Sequence, residues 1–184
     1  GRNSDGVRGI TLGKDDKLIS MSILRHVDVT AEERAAYHKR ASAIRRGAGV
    51  EEEAAPADAE DEVGAVEIDE KRYVEMSAAE QFVLTLSERG YGKRSSSYEY
   101  RTTGRGGKGI VAMSLTKKTG PIVGSFPVEE GDQVMLVTDV GKLIRTNVNG
   151  IRIAGRSTQG VIVLNTAEDE KVVSVERLSE DEAE

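Results

Sequence analysis

An all-β array of propeller-like blades, each built of four short strands, is predicted by three features of the sequence. The first is a recurring skeleton, Gly-Arg-three residues-Gly-Val/Ile, found at Gly1–Val7, Gly104–Ile110 and Gly155–Val161. The second is a register that extends beyond it. Val83, Leu86, Gly90, Arg94, Gly104, Arg105 and Gly109 fall, 51 residues on, upon Val134, Val137, Gly141, Arg145, Gly155, Arg156 and Gly160. A period near fifty belongs to propeller blades or solenoid units. The third is the length of the apolar or β-branched runs. Phe82–Ser87, Ile110–Leu115, Ile122–Phe126, Val134–Thr138, Val161–Leu164 and Val172–Val175 are short and bounded by Gly, Asp or Lys, as strands of a blade are.

Residues 1–24 match only the back half of a blade: the motif, Val7–Leu12, a Gly-Lys-Asp-Asp turn and Leu18–Ile23. The front strands would lie upstream of Gly1, which leaves an unpaired sheet edge. Residues 25–80 interrupt the repeat as a partly helical, partly disordered insertion. Within it, Thr30-Ala31-Glu32-Glu33 is a capping-box signature, and no Gly or Pro follows until Gly47, so a helix is expected over about 31–46. Residues 47–66 are Ala, Glu, Asp, Gly and one Pro with few apolar side chains, a composition expected to stay disordered. A second helical piece is expected over about 69–79. Blades follow at 81–130 and 131–178, and residues 179–184 form an acidic tail, read as a solvated end.

With 32% charged residues, two Phe and no Trp, the core must be aliphatic. The absence of cysteine excludes disulfides and thiolate metal sites. No apolar run approaches the roughly 20 residues that span a bilayer, and there is no signal peptide, so an intracellular, soluble protein is expected.

The net charge of −6 conceals a division. Residues 25–80 carry 8 Lys plus Arg against 15 Asp plus Glu, whereas residues 81–178 carry 14 against 10. Between Leu86 and Gly120 the cations Arg89, Lys93, Arg94, Arg101, Arg105, Lys108, Lys117 and Lys118 face only Glu88 and Glu99. Such a basic patch in an acidic chain keeps nucleic acid among the candidate ligands.

Glycines at 104, 106, 107 and 109 permit positive φ and close backbone approach, so amide groups can line an anion-binding concavity beside Arg105 and Lys108. For Gly106-Gly107 alone a turn or bulge is the simpler account. Recurrence of Arg at 2, 105 and 156, with Arg94 and Arg145, shifts the balance, because equivalent positions of a blade array line one rim. Enzyme chemistry finds no foothold: His26 and His38 have no ligand pattern near them in the sequence, and no P-loop, dinucleotide fingerprint or nucleophile elbow is present. Glu168-Asp169-Glu170 reads as a solvated turn. Tyr91, Tyr98 and Tyr100 flank the basic patch and are expected to pack on the sheet.

Gly-Val-Arg-Gly-Ile at 6–10, Gly90-Tyr91-Gly92-Lys93-Arg94, Gln133–Asp139, Gly155–Val161 and Thr166–Glu170 together make the chain resemble the C-terminal domain of bacterial DNA gyrase A over residues 1–24 and about 80–178. The resemblance implies a β-pinwheel whose basic perimeter wraps duplex DNA non-specifically in support of ATP-dependent negative supercoiling. It implies a parent type IIA DNA topoisomerase in the bacterial cytoplasm, a heterotetramer of gyrase A with gyrase B, using ATP and Mg2+ on other domains and none in this fragment. The expected DNA contacts are Arg94, Arg101, Arg105, Lys108, Arg145 and Arg156, supported by Arg2, Arg8 and Lys93. The family's box, Gln-Arg-Arg-Gly-Gly-Lys-Gly, is only half matched by Gly104–Gly109, which lacks the leading Gln-Arg. No tyrosine here sits in the family's Arg-Tyr-Thr cleavage setting, so the fragment is expected to be non-catalytic. The rivals are the corresponding domain of topoisomerase IV and a protein-interaction propeller with an acidic partner.

Overall fold

A computed structural model describes residues 1–50, 52–53 and 66–179. Its organising unit is a three-stranded antiparallel sheet that occurs twice. In the first, β2 (Phe82–Ser87) is flanked by β3 (Tyr91–Ser96) and β4 (Ile122–Val128). In the second, β5 (Gln133–Thr138) is flanked by β6 (Leu143–Asn147) and β9 (Val172–Leu178). The hairpins share one register: Phe82 pairs with Ser96 and Leu86 with Gly92, as Gln133 pairs with Asn147 and Val137 with Leu143. Even the irregularity repeats, a shift in pairing at Leu86/Ser87 and again at Val137/Thr138. A 3-10 turn closes each hairpin, at Ser97–Glu99 and Val148–Gly150.

Two further strands of the first sheet come from the following unit. β7 (Ile153–Ala154) lies parallel to β3 through Arg94 and Ile153, and β8 (Val161–Ile162) pairs antiparallel with Tyr91 and Gly92. Consecutive units therefore interlock through backbone hydrogen bonds as well as through side chains. The sequence reading placed four strands inside each unit; the exchange across the seam is the correction.

Successive side chains of a strand point to opposite faces, so β2 presents Leu84 and Leu86 one way and Val83, Thr85 and Ser87 the other, all buried. Leu84 and Leu86 meet Val134 and Leu136 of β5 in one core with Val128, Val148, Ile151, Val172 and Val175. Each such leucine contributes on the order of 1.5–3 kcal/mol of burial. On the opposite face Thr85 and Ser125 share a hydroxyl hydrogen bond of 3.1 Å.

Val7–Leu12, Leu18–Ile23 and Ile110–Leu115, expected as strands, form no ladder. A strand needs a partner backbone; Leu18–Ile23 runs beside the outer edge of β4 but meets it through side chains, the hydroxyls of Ser20 and Ser22 donating to Ser125 O at 3.3 and 3.4 Å, and forms no backbone ladder with it. Val7, Leu18, Met21 and Ile23 are correspondingly exposed.

The insertion folds back onto the first sheet. Helix α1 (Ala31–Gly47) begins where Thr30 Oγ1 accepts from Glu33 N and Glu33 Oε2 accepts from Thr30 N, a reciprocal cap. Helix α2 (Glu70–Ala79) begins with Asp69 Oδ1 accepting from Arg72 N at 2.7 Å. Tyr37, Ala41, Met76 and Tyr98 form a second core with Val27, Val29, Ile68 and Tyr73. Tyr98 belongs to the 3-10 turn after β3, so the helices are docked on the end of that hairpin. Tyr98 Oη donates to Met76 O at 2.7 Å, and burial pushes its hydroxyl up to about 12. Two residues within the stretch expected to be disordered, Glu52–Glu53, form β1, parallel to β7. At the start of that stretch Gly47 ends α1, and Gly49 N and Val50 N donate back to Arg46 O and Arg45 O at 3.1 and 2.9 Å, so these residues are ordered against the expectation; positions 51 and 54–65 of the stretch, and the acidic residues 180–184, lie outside the described residues.

Candidate nucleic-acid interface

The three copies of the Gly-Arg motif share a tight opening turn and a closing glycine. The turn has the arginine at its second position and is seen as Ser4 N donating to Gly1 O at 3.1 Å and Thr158 N to Gly155 O at 3.0 Å; the second copy differs at the third position, where Gly106 takes φ +79° whereas Asn3 and Ser157 do not have positive φ. Each closes on a glycine in the left-handed region: Gly6 at φ +75°, Gly109 at +79° and Gly160 at +77°. That conformation is open to glycine and costly for a side chain bearing Cβ, which is why the skeleton keeps glycine there.

The copies also touch one another in sequence. Thr11 N donates to Gly107 O at 2.8 Å, joining the first copy to the second, and Ser114 N donates to Thr158 O at 3.0 Å, joining the second to the third. These are equivalent positions, so one inter-copy bond occurs twice. Gly106 N to Gly9 O and Arg156 Nη1 to Val111 O, at 2.9 and 2.7 Å, add to the same line of contacts. The arginine-bearing turns are thereby strung in one continuous row.

Along that row Arg2, Arg8, Arg101, Arg105 and Lys108 are exposed and Arg156 is half-buried. Arg145 is exposed on β6, its Nε donating to Gln133 Oε1. Lys93 and Arg94 are placed otherwise, and both leave the candidate interface. The Lys93 side chain is fully buried, with Nζ donating to Gly155 O, Arg156 O and Thr158 O at 2.6, 2.5 and 2.9 Å and lying 3.3 Å from Thr158 Oγ1. Arg94 is 5% exposed; Nε donates to Ile151 O at 2.7 Å and Nη2 to Asn149 O at 3.2 Å. Arg94 and Arg145 occupy equivalent positions with opposite fates, because β7 and the chain before it cover β3 whereas no described strand covers the outer edge of β6.

Arg156 is held from behind as well. Its N–H donates to Glu99 Oε2 at 2.5 Å, and burial pushes the Glu99 carboxyl above its ordinary range against the pull of that hydrogen bond, Lys93 and Arg156.

The side chains that sequence reasoning did not single out as contacts are Arg89, Lys117 and Lys118. They line an open cleft of about 300 Å³ with Tyr91, Ile162 and Leu164 at the seam between units, and Lys118 Nζ stands 5.4 Å from the Tyr91 ring centroid. The signal for them was the charge count over 86–120. Among the described residues no group of His, Asp and Glu could hold a metal ion, and no helix is long and apolar enough to cross a membrane.

Comparison with known proteins agrees with this geometry. The family described as "DNA gyrase C-terminal domain, beta-propeller" matches residues 1–25, 81–129 and 132–179, leaving out the helical insertion. DNA gyrase A of Granulibacter bethesdensis is 47% identical over 182 residues, covering 95% of this chain and 19% of that protein. The Rickettsia prowazekii protein is 45% identical over 184 residues, covering 97% and 19%, and that of Escherichia coli 34% over 180 residues, covering 98% and 14%. The chain thus spans about a fifth or less of the length of these relatives. A solved DNA gyrase A C-terminal domain superposes with TM-score 0.51 at 30% identity, over 53% of this chain and 33% of that one. The C-terminal domain of DNA topoisomerase IV does so with TM-score 0.51 at 23% identity, over 55% and 32%, which speaks to the fold alone.

Proposed function

The chain belongs to the DNA gyrase C-terminal domain family, and from that premise we propose that it binds the backbone of duplex DNA and helps to bend it. The observation that carries the reading is the row of motif turns joined by a repeated backbone bond, which sets Arg2, Arg8, Arg105, Lys108 and Arg156 in sequence. Arg101 and Arg145 extend it. Such a row tracks phosphates without reading bases, and contacts spread along a duplex offset the several kcal/mol, on the order of 1–6, that bending a short site costs.

The natural setting for such wrapping is the whole gyrase of the bacterial cytoplasm, in which gyrase A works with gyrase B and the ATP-dependent strand passage that wrapping supports takes place on other domains. This chain contributes binding and curvature; cleavage belongs elsewhere in the assembly.

The test is duplex binding across a salt series, beside a variant with Arg2, Arg8, Arg101, Arg105, Lys108, Arg145 and Arg156 changed to alanine. Each phosphate contact adds about −0.9 to the slope of log K against log salt. Steep salt dependence that collapses in the variant supports the reading. Equal binding by the two proteins, or none by either at moderate salt, overturns it and favours a protein partner for the basic row.

A further inference from the structure

A lysine with no exposure is the least expected member of this basic patch, and its surroundings explain it. Lys93 lies on β3 of one unit, and four oxygens around its Nζ belong to the motif turn of the next: Gly155 O, Arg156 O, Thr158 O and Thr158 Oγ1, at 2.6, 2.5, 2.9 and 3.3 Å. The turn thus offers acceptors enough for all three ammonium protons of a buried charge. In a trans peptide the carbonyl and the following N–H point in opposite directions. Drawing the carbonyls of 156 and 158 onto Lys93 therefore turns the N–H groups of Ser157 and Gln159 to the opposite side.

Glu99, from the same hairpin, completes the hold by accepting from Arg156 N at 2.5 Å. The peptides on either side of Arg156 are thus gripped by opposite charges, a carboxylate on the N–H and an ammonium on the C=O. At the equivalent position of the next unit stands Ile144, half-buried against the apolar core. An inward-facing position has here been given a charge.

We propose that Lys93 is a positioning residue: an internal cation that fixes the Gly155–Gly160 turn so that Arg156 and the amides of 157 and 159 present one preformed anion-binding surface. The proposal rests on the DNA-backbone reading above for the ligand, but the ordering of the turn does not. Chemically the four oxygens are a monovalent-cation cage, and a truncated side chain leaves room for an external ammonium to refill it.

The experiment compares Lys93→Ala and Lys93→Met in the 184-residue chain by amide hydrogen exchange and by DNA binding at several salt concentrations. Expected are exchange at residues 156–160 at least about tenfold faster in both variants, and a DNA salt slope reduced by about one contact. Propylammonium restores slow exchange to Lys93→Ala, in which the cage is vacated, but not to Lys93→Met, in which it is filled; tetramethylammonium at equal ionic strength restores neither. Unchanged exchange overturns the proposal, as does lost DNA binding with exchange unchanged, which would make Lys93 a direct contact. Faster exchange with the salt slope intact overturns the link to the ligand. If the wild-type chain fails to bind DNA, the function reading falls while exchange and rescue still decide the role of Lys93. Should both variants unfold, Thr158→Val, which removes one cage oxygen, reads the same exchange.

Discussion

Ser114 donates its amide proton to the carbonyl of Thr158, 3.0 Å away, and in doing so repeats the bond that Thr11 makes to Gly107 one motif copy earlier. A backbone bond recurring between successive copies fixes the advance from one arginine-bearing turn to the next. The closing glycines set how much strain a substitution in each turn would add.

Substituting alanine for those glycines should give a graded series. Gly6 and Gly109 adopt φ +75° and +79°, with nothing nearer to an added Cβ than Ile10 Cδ1 at 3.4 Å, beside Gly109. Only the left-handed conformation penalises them, by about 1–2 kcal/mol. At Gly160, φ +77°, the added Cβ would stand 2.7 Å from Gly92 O across the seam. Gly160→Ala should therefore destabilise more than either, by about 3 kcal/mol or more once the backbone shift is included. Urea midpoints at constant m-value measure the order, and an equal cost at all three sites would contradict the seam geometry.

Arg94 and Arg145 should separate stability from binding. Arg94→Met strands the buried carbonyl of Ile151, and a buried acceptor left without its donor costs about 1–3 kcal/mol. Its salt slope for DNA should be unchanged. Arg145→Ala should leave the thermal midpoint within about a degree and reduce the slope, since exposed charges contribute little to stability. Thermal unfolding and a salt titration on the same two proteins check both halves.

That pair also shows what the sequence could reveal. The 51-residue offset made the hairpins, their turns and the equivalence of Arg94 with Arg145 readable, because a repeated unit repeats its local chemistry. It could not show that β7 and β8 cross the seam to cover β3, since strand exchange leaves the period unchanged. Covering decides exposure, so Lys93 and Arg94, both expected as contacts, proved buried. The alignment of Lys93 with Ile144 was the available sign of an inward-facing site. For the insertion, the capping box located α1, but the docking of the helices was not legible: Tyr98, expected to pack on the sheet, lies in the 3-10 turn after β3 and packs against Tyr37 and Met76 of the helices.

Glu170 should make stability depend on pH in the acid range. Its carboxylate is 2% exposed and accepts from Ala167 N at 3.0 Å and from Lys142 Nζ at 2.6 Å. Those bonds hold its pKa down at about 2, from an ordinary 4.5. A depressed carboxylate stabilises the fold above its unfolded pKa, and that contribution is lost as pH falls from about 4.5 through 2. Glu170→Gln should flatten the thermal midpoint over this window and lower it at neutral pH. Glu99 acts with the opposite sign: burial raises its carboxyl, so its ionisation costs stability as pH rises, and Glu99→Gln should remove that fall.

The docking of the insertion should be separable from the integrity of the blades. Met76 is 1% exposed between Tyr37 and Tyr98, and Met76→Ala removes about 2–5 kcal/mol of packing from a core that shares no residue with the one between β2 and β5. Glu80 ties the same helices to β3 by accepting from Tyr37 Oη at 2.7 Å and Ser96 Oγ at 2.6 Å. Tyr37→Phe deletes one of those bonds, for about 1 kcal/mol. Both variants should speed amide exchange in α1 and α2, Met76→Ala the more, while β5, β6 and β9 keep wild-type protection. Loss of protection throughout would mean that the helices and the blades unfold as one unit, with Tyr98 coupling the two cores.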